Sequence, residues 1–244
     1  PAPKLILFDW HGTLVDTHDA MFAAMEEMLP QLEDLGLIGE LLPEHECRTA
    51  DDAKLVRYIR IFRRLHPRIL AERRVSRTDI FNAIFGDNTG AKQIAHEAYN
   101  ACYRRYFGEV KALQEGVTEY LSALRAAGIR LGVATNRNRE FLDHELAIVD
   151  SGRWQSLLDV TICAGDITAY KPDPEMILNA VDTLGMSAGP DTWYVGDGAV
   201  DMITGKNAPV TAVFFNSGQW EAVYIERRFA GDPEHRPDGI AGSF

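Results

Sequence analysis

The sequence predicts an α/β fold carrying an all-helical insertion, and three observations lead there. Lys4 to Phe8 is an apolar run after one charge, which suits a strand buried on both faces of a parallel sheet. From Gly116 onward, short apolar runs alternate with segments of helical period, the pattern of strands joined by crossover helices. Between them, Thr17 to about Val110 offers no convincing strand. The expected architecture is a Rossmann-like parallel sheet flanked by helices, formed by residues 1–16 and 111–244, with a helical cap formed by residues 17–110. A length of 244 residues, 46% hydrophobic and 25% charged, accommodates one such core with a sizeable insert.

In chain order, the first strand ends on Asp9, and Gly12 follows as a conformationally free turn residue with the Thr13 hydroxyl beside it. Ligands of open α/β sheets bind outside the carboxyl ends of the strands, where Asp9 would sit. Alone, Asp9 reads equally well as a surface cap of the next helix. Thr17 to Leu29 has helical spacing, with Met21, Met25 and Met28 on one side and Thr17 as the expected cap. Pro30, Gly36, Gly39 and Pro43 mark a broken stretch. Residues 48 to 107 read as almost wholly helical. Leu55, Ile59 and Phe62 form one stripe, Pro67 starts a short segment, and Thr78-Asp79 caps another containing Ile80, Ile84 and Phe85. A longer helix from Thr89 turns Ile94, Ala98, Ala101 and Cys102 inward.

The second half predicts helices over 117–127, 140–149, 175–184 and 199–206. Strands are expected at 129–134, within 157–164, at 192–195 and at 210–215. The tail after Gly231 is expected to be irregular.

A net charge of −11 gives no general field for phosphate backbones, which argues against nucleic-acid binding while leaving small anionic substrates open. No apolar run approaches the length of a membrane span, and the first residues lack the regions of a signal peptide. Cys47, Cys102 and Cys163 have no paired spacing, which fits a reducing cytosol and offers no zinc pattern. The expected location is cytoplasmic, and either monomer or homodimer is compatible. The basic stretch from Arg48 to Arg77, including Arg57, Arg64, Arg68 and Arg74, reads first as a solvated helical face. Its second reading is that one or two arginines reach an anion.

Four strand ends carry polar groups: Asp9, Thr135-Asn136, Lys171 after the third strand, and Asp197 with Asp201. Gathered at one sheet edge, the carboxylates offer hard oxygen ligands for Mg²⁺. Lys171 adds a fixed cation, and Thr135 with backbone N–H groups can hold a phosphoryl oxygen.

In order, Phe8-Asp9-Trp10-His11-Gly12-Thr13-Leu14-Val15-Asp16, Val133-Ala134-Thr135-Asn136-Arg137, Tyr170-Lys171-Pro172-Asp173-Pro174 and Val195-Gly196-Asp197-Gly198-Ala199-Val200-Asp201 resemble the four motifs of the haloacid dehalogenase superfamily. The members most alike are phosphoglycolate-phosphatase-like ones with a small helical cap after the first motif, and the resemblance runs to about Asn216. It implies a phosphatase of small phosphorylated metabolites in which Asp9 attacks phosphorus to form an aspartyl-phosphate, with the active site between core and cap. Thr135 and Asn136 would hold the phosphoryl group, and Lys171 would steady it and Asp9. Mg²⁺ would lie on Asp9, Asp197 and the backbone carbonyl of His11, with Asp201 supporting it.

His11 departs from the pattern, standing where the family carries a second aspartate that serves as acid and base. Imidazole titrates near pH ~6.5 and can do both tasks. Three readings stay open: a phosphatase using His11, a relative that binds Mg²⁺ and ligand with impaired turnover, or a substituted aspartate. A phosphonate hydrolase would need a Schiff-base lysine from the cap, for which Lys54 is the candidate. His18, His45, His66, His96 and His144 show no ligand spacing, and Trp10 is expected to pack in the core.

Overall fold

The computed structural model describes residues 1–73, 75–229 and 233–244. Arg74 of the basic stretch and Gly231 of the tail therefore lie outside the described residues. The chain divides into two compact units, Pro1–Asp16 with Val110–Phe244, and Thr17–Glu109.

The first unit begins with β1 (Leu5–Phe8) and β2 (Val15–Asp16). The chain then enters the second unit, built from α1 (His18–Met28), α2 (Ala50–Phe62), α3 (Pro67–Glu72), α4 (Arg77–Phe85) and α5 (Thr89–Tyr103). It returns through β3 (Lys111–Ala112), which pairs antiparallel with β2. There follow α6 (Val117–Ala126), β4 (Arg130–Asn138), α7 (Arg139–Ile148), β5 (Val160–Ala164), α8 (Glu175–Thr183), β6 (Thr192–Gly196), α9 (Ala199–Asn207), β7 (Thr211–Phe215), α10 (Ala222–Arg228) and β8 (Gly239–Ala241).

Six strands form one sheet in the order β5-β4-β1-β6-β7-β8, parallel at every pairing. The apolar run of β1 is explained by its central place. Ile6 and Phe8 face one layer with Leu131, Val133, and Leu121 and Leu142 of α6 and α7. Leu5 and Leu7 face the other with Met176, Ile177 and Ala180 of α8. All four β1 side chains are at most 2% exposed, which requires a strand apolar on both faces. Phe8 is level with Val133 of β4 and Val195 of β6, so Asp9, Ala134-Thr135 and Gly196-Asp197 lie towards the same edge.

The second unit is helical throughout its described residues apart from turns and loops. α1 buries Met21, Phe22, Met25 and Met28, and packs on α5, while α4 packs on α2 and α5.

Several expectations are corrected. The tail is not wholly irregular: Gly239–Ala241 adds a sixth strand to the sheet beside β7, because Val213 to Phe215 still present unpaired backbone groups there. Thr17 precedes α1 without a side-chain capping bond. α4 starts earlier than expected, on Ser76, whose hydroxyl accepts the Asp79 N–H while Asp79 accepts the Ser76 N–H. The inward stripe of α5 is Ala91, Ala95, Tyr99 and Cys102, leaving Ile94 and Ala101 exposed, because the two tyrosines of this helix fill the interior in place of Ile94. Phe62 is 56% exposed beside the left-handed Arg63 that ends α2.

Candidate active site

Asp9 follows β1 directly, and its N–H donates to the Val195 carbonyl at 2.8 Å, so the backbone leading to the carboxylate is tied to the neighbouring strand. Lys171 reaches the same point from the segment after β5. Its Nζ donates to Asp9 Oδ1 at 2.6 Å and to Asp201 Oδ1 at 2.8 Å, with the side chain 3% exposed. Asp197 follows β6, and carboxylate oxygens of Asp9, Asp197 and Asp201 all lie within 4.8 Å of one another. The Thr13 hydroxyl donates to Asp197 Oδ1 at 3.4 Å.

The sequence creates this convergence locally. Gly12 has φ +77°, and a Cβ there would stand 2.4 Å from Asp197 Oδ2. Only glycine satisfies both the left-handed backbone and the close approach. Asp201, on the first turn of α9, uses Oδ2 to accept the Gly198 N–H at 2.9 Å, so the helix start fixes the carboxylate that holds Lys171. Lys171 is itself placed by Asn136, whose side-chain oxygen accepts the Lys171 N–H at 3.1 Å. Thr135 is 4% exposed, and its Oγ1 accepts the Arg137 N–H at 3.3 Å. His11 is partly buried, two residues from Asp9.

Three carboxylates around one ammonium leave the cluster negative. Burial, then Asp201 and Asp9, push the Asp197 carboxyl well above the usual range. Burial also raises Asp201, with Lys171 opposing and Asp9 adding. Burial disfavours the Lys171 ammonium, but Asp201 and Asp9 outweigh it and hold its pKa above the ordinary value. A set of hard oxygen donors with excess negative charge fits a divalent cation such as Mg²⁺.

Two contributors were missed in the sequence. Tyr194 of β6 is fully buried, and its hydroxyl lies within hydrogen-bond distance of the Ala134 carbonyl at 2.9 Å and Asp201 Oδ1 at 3.1 Å. Its ring centroid is 5.3 Å from Lys171 Nζ. The available signal was a tyrosine in an otherwise apolar strand, since a buried tyrosine hydroxyl needs a partner. Glu175, at the start of α8, accepts the N–H groups of Thr168 and Ala169, at 3.0 and 2.6 Å to Oε2, and so braces the loop leading to Lys171. An acidic residue in a first helical turn was its signal.

In the second unit, the basic candidates have partners of their own. Lys54 is 65% exposed and paired with Asp51 at 2.9 Å on the same helix. Arg48, Arg57, Arg64, Arg68 and Arg73 pair with Asp87, Glu44, Glu26, Glu72 and Asp19. These are the partners of a solvated face. Trp10 is fully buried, as a core residue. Among the described residues, no helix is long and apolar enough to cross a membrane.

Comparison with known proteins gives the following. The sequence model described as haloacid dehalogenase-like hydrolase matches residues 3–209. A phosphoglycolate phosphatase of Salmonella paratyphi A is 28% identical over 247 aligned positions, covering 98% of this chain and 88% of its own. The plasmid phosphoglycolate phosphatase of Cupriavidus necator is 27% identical over 221 residues, 87% of this chain and 80% of that one. A crystal structure assigned as a haloacid dehalogenase-like hydrolase of Bacteroides fragilis has a TM-score of 0.68 at 22% identity, covering 99% of this chain and 98% of that one, a likeness of fold.

Proposed function

Because the chain belongs to the haloacid dehalogenase-like hydrolase family, we propose that it is a Mg²⁺-dependent phosphatase of small phosphorylated metabolites, working through an aspartyl-phosphate on Asp9. The observation that carries the reading is the Lys171 bridge to Asp9 and Asp201 with Asp197 beside them, at the edge where Thr135 also emerges.

Lys171 engages Oδ1 of Asp9, which orients the carboxylate and leaves Oδ2 as the attacking oxygen. Oδ2 forms a bond to phosphorus as the bond from phosphorus to the leaving alcohol oxygen breaks. That oxygen takes a proton from the His11 imidazolium. Water then attacks the aspartyl-phosphate, giving its proton to the now neutral His11, and Asp9 is released with inorganic phosphate. Thr135 and adjacent backbone N–H groups hold the phosphoryl oxygens. Asn136 commits its side-chain oxygen to the Lys171 loop, so its amide group is what remains for phosphate. Asp9, Asp197 and the His11 carbonyl would hold Mg²⁺, with Asp201 supporting, and the ion would offset repulsion between carboxylate and phosphate.

Phosphate release from a panel of sugar and carboxylic-acid phosphates, with Mg²⁺ or with EDTA, tests the reading against Asp9→Asn. Release confined to the unaltered protein with Mg²⁺ is expected. Equal rates for the two proteins would reject it. A second reading, a protein that binds metal and phosphate with little turnover, is favoured by His11 at the acid/base position. It predicts that His11→Asp gains activity, and full activity of the unaltered protein would exclude it.

A further inference from the structure

Glu145 has no exposure in the first unit and lies on the buried face of α7 with Phe141, Leu142 and Leu146. A carboxylate in such a place is costly unless strong donors meet it. Two residues do. Trp10 donates its indole N–H to Oε2 at 2.7 Å. Arg137 donates Nε–H to Oε2 at 3.1 Å and an Nη2 hydrogen to Oε1, a two-pronged pair.

Both donors lie beside candidate active-site residues, Trp10 after β1 and Arg137 in the irregular end of β4. Trp10 separates Asp9 from His11. Arg137 ends the Thr135-Asn136-Arg137 bulge of β4, and its N–H donates to Thr135 Oγ1. The pairing of β4 with β5 shifts register there: Thr135 is level with Cys163, but the next pairing is Asn138 with Ala164. Such a bulge redirects side chains at the cost of ladder hydrogen bonds, so it must be held from outside the ladder. The Arg137 side chain, 11% exposed, runs inward to Glu145 and lies 5.7 Å from the Phe141 ring centroid. Trp10 is braced a second time, edge-on to Trp154 at 5.8 Å. The Trp154 N–H in turn donates to Thr118 Oγ1 at 2.8 Å.

We propose that Glu145 is a positioning residue that clamps the Asp9–His11 loop to the Thr135–Arg137 bulge, fixing the separation of nucleophile and phosphoryl-holding groups. This rests on the phosphatase reading of Asp9 and Thr135. Glu145 touches no reacting atom. Its charge keeps the Arg137 guanidinium in the core, and its second contact orients the residue after Asp9. Misplacement of reacting groups by about 1 Å can cost on the order of a hundredfold in rate.

The test compares the unaltered protein, Glu145→Gln, Trp10→Phe and their double variant, using p-nitrophenyl phosphate with Mg²⁺, together with amide hydrogen exchange. Glu145→Gln is expected to lower kcat roughly ten- to a hundredfold with KM within about twofold, and to speed exchange at Asn136 and Arg137 at least about tenfold. Trp10→Phe added to it should cost much less than in the unaltered protein. Unchanged kcat in folded Glu145→Gln, or a change in KM alone, overturns the proposal. If Glu145→Gln does not fold, Arg137→Met with Glu145→Leu removes both charges together. Low kcat in that protein supports the clamp and unaltered kcat overturns it. If the unaltered protein shows no turnover that depends on Asp9, the phosphatase reading fails separately. Exchange then decides the clamp, faster exchange supporting it and unchanged exchange overturning it.

Discussion

Lys171→Met removes the only ammonium in contact with Asp9 and Asp201 among the described residues. Each lost bond is charge-assisted, and each carboxylate is left with less compensation in a site where Lys171 is 3% and Asp201 3% exposed. Breaking a buried pair by deleting one partner costs about 3–5 kcal/mol. Asp9 is less buried, at 13%, so most of the cost falls on Asp201. Asp201→Asn in the Lys171→Met background removes the stranded charge and should recover about 2 kcal/mol of the loss. Urea unfolding of the four proteins in EDTA measures this cycle directly. Activity should behave differently. Lys171→Met and the double variant should both lose on the order of 10²–10³ in kcat with Mg²⁺ present, because Asp9 has lost its orienting cation in each. Additive stability changes, or a Lys171→Met protein as stable as the unaltered one, would refute the charge accounting. Recovery of activity in the double variant would refute the orienting role.

Three further outcomes are expected. Tyr194→Phe removes the hydroxyl bridging Ala134 and Asp201 and should cost about 1–3 kcal/mol by chemical unfolding, with a fall in kcat and little change in KM. Gly12→Ala puts a methyl 2.4 Å from Asp197 Oδ2 at φ +77°, so it should weaken Mg²⁺ binding by about tenfold or more in titration calorimetry and destabilise the protein by about 1–2 kcal/mol. In the second unit, burial, then Arg77 and Lys92, lower the His96 pKa to about 3. The native state therefore refuses a proton that the unfolded chain accepts near pH ~6.5, so stability is full above that pH and is lost as pH falls towards 3. Between pH 7.5 and pH 5.5 the loss should be about 1 kcal/mol larger than in His96→Gln, by urea unfolding of both proteins.

The candidate site was readable because Asp9 and Asp197 directly follow strands and Thr135 ends the apolar part of β4, and the ends of apolar runs are what sequence patterns mark best in a parallel sheet. Phe8-Asp9, Ala134-Thr135 and Gly196-Asp197 each show an apolar run stopping at a polar residue. Parallel register alone then brings them to one edge. The third strand was readable only in part, since Leu157 and Leu158 extend the apolar run beyond the ladder that begins at Val160. The last strand was not readable at all: Gly239–Ala241 has no pattern of its own and is a strand because β7 offers it an open edge. On α5 the periodicity did not show which face is inward, for Tyr99 and Tyr103 are buried while Ile94 is 43% exposed.

The supporting residues were hidden for a further reason, which bears on how such a site is built. Glu145 occupies an apolar stripe at helical spacing with Phe141, Leu142, Leu146 and Val149, and the pattern remains helical with or without it. Its meaning comes from Trp10, 135 residues away, and from Arg137. Tyr194 likewise gains its meaning from Asp201 and from a carbonyl 60 residues away. Groups that handle substrate must reach an edge, and an edge is a local property that periodicity reports. Groups that hold those in place must lie behind them, where each polar atom needs a partner supplied by a distant segment. A charged or hydroxyl-bearing residue on an otherwise apolar stripe is thus the sequence's trace of the second kind. In this chain Glu145 and Tyr194 are both such residues, and both bond to residues that are, or stand next to, candidate site residues.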